Sequence, residues 1–101
     1  MPRSRIVGSH ADGEVFVDGV QLDLQRSLEV VNKSPMGFAW GYNGSGPGQL
    51  ALAILLQFTD DDTARELFQQ FKDEFIARLP FEQDFVLEAD VHLWIQTNKK
   101  K

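Results

Sequence analysis

The segment with the clearest chemical potential is a glycine-rich loop at residues 44–49, which reads Gly-Ser-Gly-Pro-Gly-Gln and precedes an apolar run. Free backbone amides at the start of a helix attract phosphate or nucleotide anions. However, Pro47 removes one amide, and neither a Lys-Ser/Thr pair nor a dinucleotide fingerprint accompanies the loop. A structural turn, with Ser45 as the helix cap, is therefore favoured over a phosphate or nucleotide site.

Other residues capable of chemistry lack the spacing that a reaction or a metal requires. Three consecutive aspartates at 60–62 do not continue as a calcium loop, and helix capping explains them. His10 and His92 form neither a helical ligand pair nor a nucleophile–base arrangement. The acidic residues between 82 and 90 give no reason to select two as a glycosidase pair. We therefore expect no catalytic residue, no metal and no cofactor.

The aromatic residues near the loop have two interpretations. Phe38, Trp40 and Tyr42 alternate with small residues, as they would along an extended strand at 36–42. Core packing is the favoured interpretation. The alternative is that Trp40, Tyr42 and Trp94 are partly exposed around the loop and form a binding surface, because aromatic side chains bury much area at a low entropic cost.

The net charge of −5 is concentrated in residues 59–91, which hold ten acidic and three basic residues. Such a surface repels phosphate backbones and argues against direct nucleic-acid binding. It would suit a decoy that imitates nucleic acid, with Glu66, Asp73 and Glu74 as the key charges. Because basic residues interrupt the acidic ones, an ordinary solvated helix face is the favoured interpretation.

A length of 101 residues predicts one domain, which we assign to residues 1–98 with a basic tail at 99–101. The sequence has no cysteine, which fits a reducing compartment, and no secretory signal pattern. Its longest apolar run, residues 50–56, is far shorter than the roughly 20 residues of a membrane span. We expect a cytoplasmic protein without membrane association.

Hydrophobic periodicity predicts an α+β fold, with a small antiparallel sheet of three to five short strands and about three helices. Strands are predicted at residues 5–8, 14–18, 20–22, 36–42 and 85–87, and residues 28–31 are a further candidate strand. A helix that starts near Pro47 and runs to residue 58 is apolar on every side, so we expect it to be central and buried. Amphipathic helices are predicted at 62–79 and 88–97.

The stretch Phe38-Ala-Trp-Gly-Tyr-Asn-Gly-Ser-Gly-Pro-Gly-Gln-Leu-Ala-Leu-Ala-Ile-Leu resembles a family of small bacterial, plasmid and phage proteins of unknown function. Their shared core reads aromatic-Gly-Tyr-Gly-Gly-Ser-Gly-Pro-x-Gln-Leu-Ala-Leu, and the resemblance covers residues 34–91. Asn43 replaces a glycine, and asparagine also tolerates a left-handed backbone. The resemblance implies a single-domain accessory protein in a phage or mobile-element context, without implying a reaction.

Three functions follow. The leading one is a non-catalytic accessory protein that binds another protein, for which a host defence component is one candidate. The alternatives are a small phosphate- or nucleotide-binding module and a structural subunit of a homo-oligomer, and the oligomeric state is left open. The candidate binding residues are Trp40, Tyr42, Asn43, Gly44, Ser45, Gly46, Gln49, Glu66, Asp73 and Glu74.

Overall fold

The computed structural model describes residues 3–99, which form a four-stranded antiparallel sheet and four α-helices. The predicted α+β fold is confirmed. In chain order the elements are β1 (Ser4–Gly8), β2 (Val15–Val17), β3 (Val20–Gln21), α1 (Leu24–Val30), α2 (Ser45–Leu56), α3 (Asp61–Phe71), a π-helical turn (Lys72–Ile76), β4 (Phe85–Ala89) and α4 (Val91–Asn98).

The sheet has the strand order β3-β2-β1-β4, so the first strand of the chain lies between its neighbour and the last strand. Ile6 on β1 is paired with Val17 on one side and with Leu87 on the other. Gly8 leaves room for the ring of Phe85, since a methyl group there would lie 2.2 Å from a ring carbon. The pairing of β1 with β4 therefore brings together residues some 80 positions apart in the chain.

The helix α2 forms the centre of the fold, as its sequence predicts, because residues 46–55 are all buried. Pro47 lies in its first turn, where a missing amide costs no hydrogen bond. The prediction that Ser45 caps this helix is wrong. Gly44 is the N-cap, and its carbonyl accepts from the amide of Gly48 at 3.1 Å, so the first turn closes one residue earlier.

The helix α3 begins where predicted, since the carboxylate of Asp60 accepts a hydrogen bond from the amide of Thr63 at 2.8 Å. Its last turn widens into the π-helical turn, in which the amide of Ala77 donates to the carbonyl of Lys72 at 2.9 Å. Helical structure therefore ends at Ile76, before the predicted end at residue 79. The helix α4 starts at Val91 instead of residue 88, because β4 continues to Ala89.

Two predicted strands are not strands in the structure. Residues 28–31 mostly belong to α1, whose start Asp23 stabilises by accepting from the amide of Arg26 at 3.2 Å. Residues 36–42 have no regular structure, because Gly37 and Gly41 adopt φ values of +140° and +87°, which interrupt an extended strand. Tertiary contacts, described below, fix this irregular path.

The side chain of Gln49 is fully buried and ties α2 to the segment that follows α1. Its Nε2 donates to the hydroxyl of Ser27 and to the carbonyl of Val31, both at 2.9 Å. Its Oε1 accepts from the amides of Lys33 at 2.8 Å and Ser34 at 3.0 Å. All four hydrogen-bonding positions of the amide are used. Gln49 therefore has a structural role, and its prediction as a ligand-binding residue is corrected.

At the C-terminus, the amide of Lys99 donates to the carbonyl of Ile95 at 2.9 Å and so completes the end of α4. Residues 100 and 101 of the predicted basic tail lie outside the described residues. Within residues 3–99, no helix combines the length and hydropathy that a membrane span requires.

The first prediction concerns the buried amide of Gln49. We expect Gln49→Leu to lower the free energy of unfolding by about 2–4 kcal/mol, because it leaves the backbone amides of Lys33 and Ser34 and the carbonyl of Val31 without the Gln49 side chain as their partner. Gln69→Leu, on the exposed side of α3, is the matched control and should change it by less than about 0.5 kcal/mol. Urea denaturation measures both, and equal losses would contradict the assigned role.

Candidate functional site

The backbone amides of the glycine loop are poorly arranged to hold an anion. Pro47 has no amide hydrogen, and the amide of Gly48 donates to the carbonyl of Gly44. The Gln49 side chain is consumed by internal hydrogen bonds. Gly46 is itself buried, and Ser45 is the exposed residue between it and Gly44. This arrangement offers fewer donors than the phosphate-binding loops that such glycines suggest.

The glycines instead leave space for the ring of Tyr42. A methyl group at Gly44 would lie 2.7 Å from the Cε2 atom of Tyr42. One at Gly46 would lie 2.7 Å from the Cβ atom of Ala39 and 3.2 Å from the Tyr42 hydroxyl. Any larger side chain at either position would therefore displace the ring or the backbone beneath it. Asn43, which lies between Tyr42 and Gly44 in the sequence, is exposed.

A third glycine brings Phe81 beside Tyr42. The amide of Gly41 donates to the carbonyl of Ile76 at 3.0 Å, and a Cβ atom at Gly41 would lie 2.6 Å from the Cα atom of Phe81. The two rings meet edge to face, with centroids 5.8 Å apart and an interplanar angle of 88°. Tyr42 is 44% exposed and Phe81 is 55% exposed. The fold thus presents a fixed aromatic pair to solvent.

Trp40 supports this pair from the interior. It is 5% exposed, its indole nitrogen donates to the carbonyl of Gln83 at 2.8 Å, and its ring meets that of Phe85 at a centroid distance of 4.8 Å. The interpretation of Trp40 as an exposed binding residue is therefore wrong. Its hydrogen bond instead fixes the chain just after Phe81.

We use the name aromatic face for the surface formed by three aromatic residues and one methionine, which are Phe38, Tyr42, Phe81 and Met36. Phe38, Tyr42 and Phe81, together with Trp40, line an open cavity of about 270 Å³. A second cavity of about 540 Å³ shares Phe38 and extends to Met36, which is 94% exposed. Among the described residues, six large hydrophobic side chains are exposed, and three of them belong to this face. Exposed apolar side chains are thus concentrated here.

Phe81 is the residue of this face that the sequence analysis missed. It follows Pro80 at the end of a helical segment and precedes the polar residues at 82–84. An aromatic residue in such a polar turn belongs to no helix or strand face that could bury it. This position was the signal in the sequence that Phe81 is exposed. Its position beside Tyr42 depends on the contact with Gly41.

The three acidic candidates lie elsewhere, on α3 and the π-helical turn, and all are exposed. Asp73 lies 3.5 Å from the ammonium group of Lys72. The indole nitrogen of Trp94 and the amide of Gln70 donate to Glu74 at 2.8 and 2.9 Å, and these hydrogen bonds lower the pKa of Glu74. Glu66 is on α3. The contacts of Asp73 and Glu74 within the chain favour a structural helix face over a decoy.

The environment of Trp94 corrects a further expectation. Its ring contacts Phe71 and Phe75 at centroid distances of 5.0 and 6.2 Å, and its cavity of about 360 Å³ is shared with residues of β4 and α4. Trp94 is therefore partly exposed, as expected, but it lies away from the glycine loop. It does not extend the aromatic face.

The candidate metal ligands do not converge in the part of the chain that the structure describes. Within residues 3–99, no three side chains of the His, Cys, Asp and Glu types are placed to hold one ion. Asp60 caps α3 as predicted, and hydrogen bonds from the side chain and backbone of Thr63 lower its pKa. His10 and His92 are both exposed.

Comparisons with known proteins agree with part of the resemblance described above. The model of a family of unknown function, DUF6166, matches residues 6–97. No curated protein matches the chain. No solved structure matches it either. The match includes the glycine loop, the aromatic pair and almost all of the sheet, so these features fall within one family unit.

The second prediction compares two glycines of the same helical turn. We expect Gly46→Ala to destabilise the fold by about 1–3 kcal/mol and to move the Tyr42 ring, because the added methyl group would lie 2.7 Å from the Cβ atom of Ala39 and 3.2 Å from the Tyr42 hydroxyl. Gly48→Ala meets its neighbours only at ordinary distances of 3.8 Å or more and should stabilise the helix by up to about 1 kcal/mol. Urea denaturation and the nuclear Overhauser effects between the Tyr42 and Phe81 rings report the outcome. The same sign for both variants would contradict this account.

The third prediction concerns the pH dependence that Glu74 contributes. Because its pKa is lowered, its network stabilises the fold above the ordinary pKa of 4.5, and the stabilisation is lost as the pH falls through the lowered value. Trp94→Phe removes the largest cause and should raise the pKa of Glu74 toward 4.5. Gln70→Ala removes the second cause and should shift it less. Carbon NMR titration of the Glu74 carboxyl group measures this pKa, and an unchanged value in Trp94→Phe would refute the assignment.

Proposed function

We propose that this chain, which belongs to the DUF6166 family of unknown function, is a non-catalytic protein that binds another protein through its aromatic face. The single observation that carries the proposal is the exposed Tyr42–Phe81 pair, beside which three glycines leave no room for a Cβ atom. Tyr42, Asn43 and Phe81 are the contact residues we assign. Gly41, Gly44 and Gly46 position them.

The physical support lies in the energetics of exposed aromatic rings. Full burial of a Phe-sized side chain is worth about 1.5–3 kcal/mol, and this chain leaves Phe81 and Tyr42 about half uncovered. A partner that covers both rings therefore gains about half of that free energy from each ring, or about 1.5–3 kcal/mol in total. Because the rings are already held, little conformational entropy is lost on binding. Such rigid aromatic side chains often dominate the free energy of protein–protein interfaces.

The biological setting rests on the resemblance noted above. An accessory role in a phage or mobile element, with a host defence component as a candidate partner, would need only a stable binding face and no reaction centre. We also propose a cytoplasmic location, in keeping with a chain that lacks cysteine. The same face could instead pair two copies of this chain, and the experiment below separates these occupants by mass.

The fourth prediction tests the aromatic face in the native host. A photoreactive benzoylphenylalanine placed at Phe81 should give a specific cross-linked protein that mass spectrometry can identify. The same probe at Leu93, which is 61% exposed on α4, is the matched control and should not. Tyr42→Ala should weaken binding of the identified partner about tenfold or more, since it removes half of the ring pair.

Three outcomes decide between the candidates. A heterologous adduct from position 81 supports the proposed function. An adduct with the mass of two copies of this chain supports the homo-oligomer alternative. The absence of an adduct at 81, or identical adducts from 81 and 93, would refute a role for the aromatic face.

A further inference from the structure

We infer that the partner presents a cationic segment with apolar anchors to the aromatic face, and that Glu14 and Glu82 pair with its charges. This inference rests on the proposed function and specifies the chemistry of the partner. It follows from the shape, the charge and the unused hydrogen-bonding capacity of two neighbouring cavities that share lining residues.

The groove consists of the two neighbouring cavities on the aromatic face. They share Gly13 and Phe38, and together they run from the start of α1 to Phe81. The apolar side chains of the aromatic face line this path, with Leu22 and Leu24 at its far end. A groove that follows the surface in this way fits an extended peptide segment better than a compact small molecule.

Four acidic residues lie along this groove. They are Asp12, Glu14, Asp23 and Glu82, with His10 beside them, and the described lining contains neither lysine nor arginine. The whole chain has ten lysines and arginines and fifteen acidic residues. The absence of lysine and arginine from the described lining therefore distinguishes the groove from the rest of the surface. The groove therefore attracts cations and repels phosphate.

Two of these carboxylates are already engaged by the chain itself. Asp12 accepts from the amide of Glu14 at 3.0 Å, and Asp23 accepts from the amide of Arg26 at 3.2 Å. The side chains of Glu14 and Glu82 have no hydrogen-bond or ion-pair partner among residues 3–99. Glu82 directly follows Phe81 and has a φ of +57°, a backbone conformation that is strained for this residue type. These two carboxylates are free to bind an incoming charge.

Arginine is the side chain that best matches this combination. Its planar guanidinium can pair with a carboxylate through two hydrogen bonds and can stack on the face of Tyr or Phe. Adjacent apolar residues of the same segment would cover Phe38 and Met36. Methionine adapts its shape to different partners, which suits the most exposed residue of the face. A basic segment of a protein partner supplies both kinds of group.

The experiment uses a displayed library of random dodecapeptides, selected on the immobilised full chain at about 50 mM salt, where charge pairing is weakly screened. We expect enriched peptides to combine arginine or lysine with aliphatic or aromatic residues. Their affinity should fall about tenfold in the double variant Glu14→Gln with Glu82→Gln. The matched control, Glu29→Gln with Glu88→Gln, removes the same charge outside the groove and should reduce affinity less than about twofold.

The opposite results have a defined meaning. Enrichment of neutral or acidic peptides, no enrichment at all, or equal affinity of both double variants would overturn the cationic partner. If position 81 still gives a specific cross-link in the native host, the proposed function survives that failure. If position 81 gives none, the proposed function fails and the inference fails with it.

Discussion

The buried amide of Gln49 holds together the parts of the chain on which the surface depends. An unpaired amide in the interior would cost several kcal/mol, so its four hydrogen bonds restrict the backbone at Val31, Lys33 and Ser34. The hydroxyl of Ser34 then donates to the carbonyl of Gly37 at 2.8 Å. The path toward the aromatic face is therefore fixed by hydrogen bonds that start inside α2, not by a regular strand.

The glycine loop shows how one pattern can serve either of two purposes. A phosphate loop uses glycine to bring backbone amides close to an anion. Here the space left by Gly44 and Gly46 is occupied by the Tyr42 ring and by Ala39. The distinction is steric, and local spacing cannot reveal it, because the atoms that fill the space belong to residues whose position depends on the fold.

The aromatic face and the interior of the protein make opposite demands on apolar side chains. The centre of α2 is buried on every side, which accounts for a large part of the hydrophobic stabilisation. Phe81 and Met36 are instead left in solvent, beside acidic residues that keep the surface charged. Exposure of this kind costs stability and favours association. The two demands are compatible because the exposed side chains lie on irregular segments outside the packed layers.

Local sequence patterns alone determined two kinds of element. The first is a helix that is buried on every side, and the second is an element whose stabilising residues are close to it in the sequence. The run around Leu52 is apolar throughout and could only be central, and the Asp60 cap needs no distant partner. The alternation of Val15 and Val17 predicts a strand for the same reason. Tertiary structure decided that residues 28–31 are mostly helical, that Gln49 points inward and that Phe81 lies beside Tyr42. Periodicity reports which side of its own element a residue occupies, whereas these outcomes depend on contacts between residues far apart in the chain.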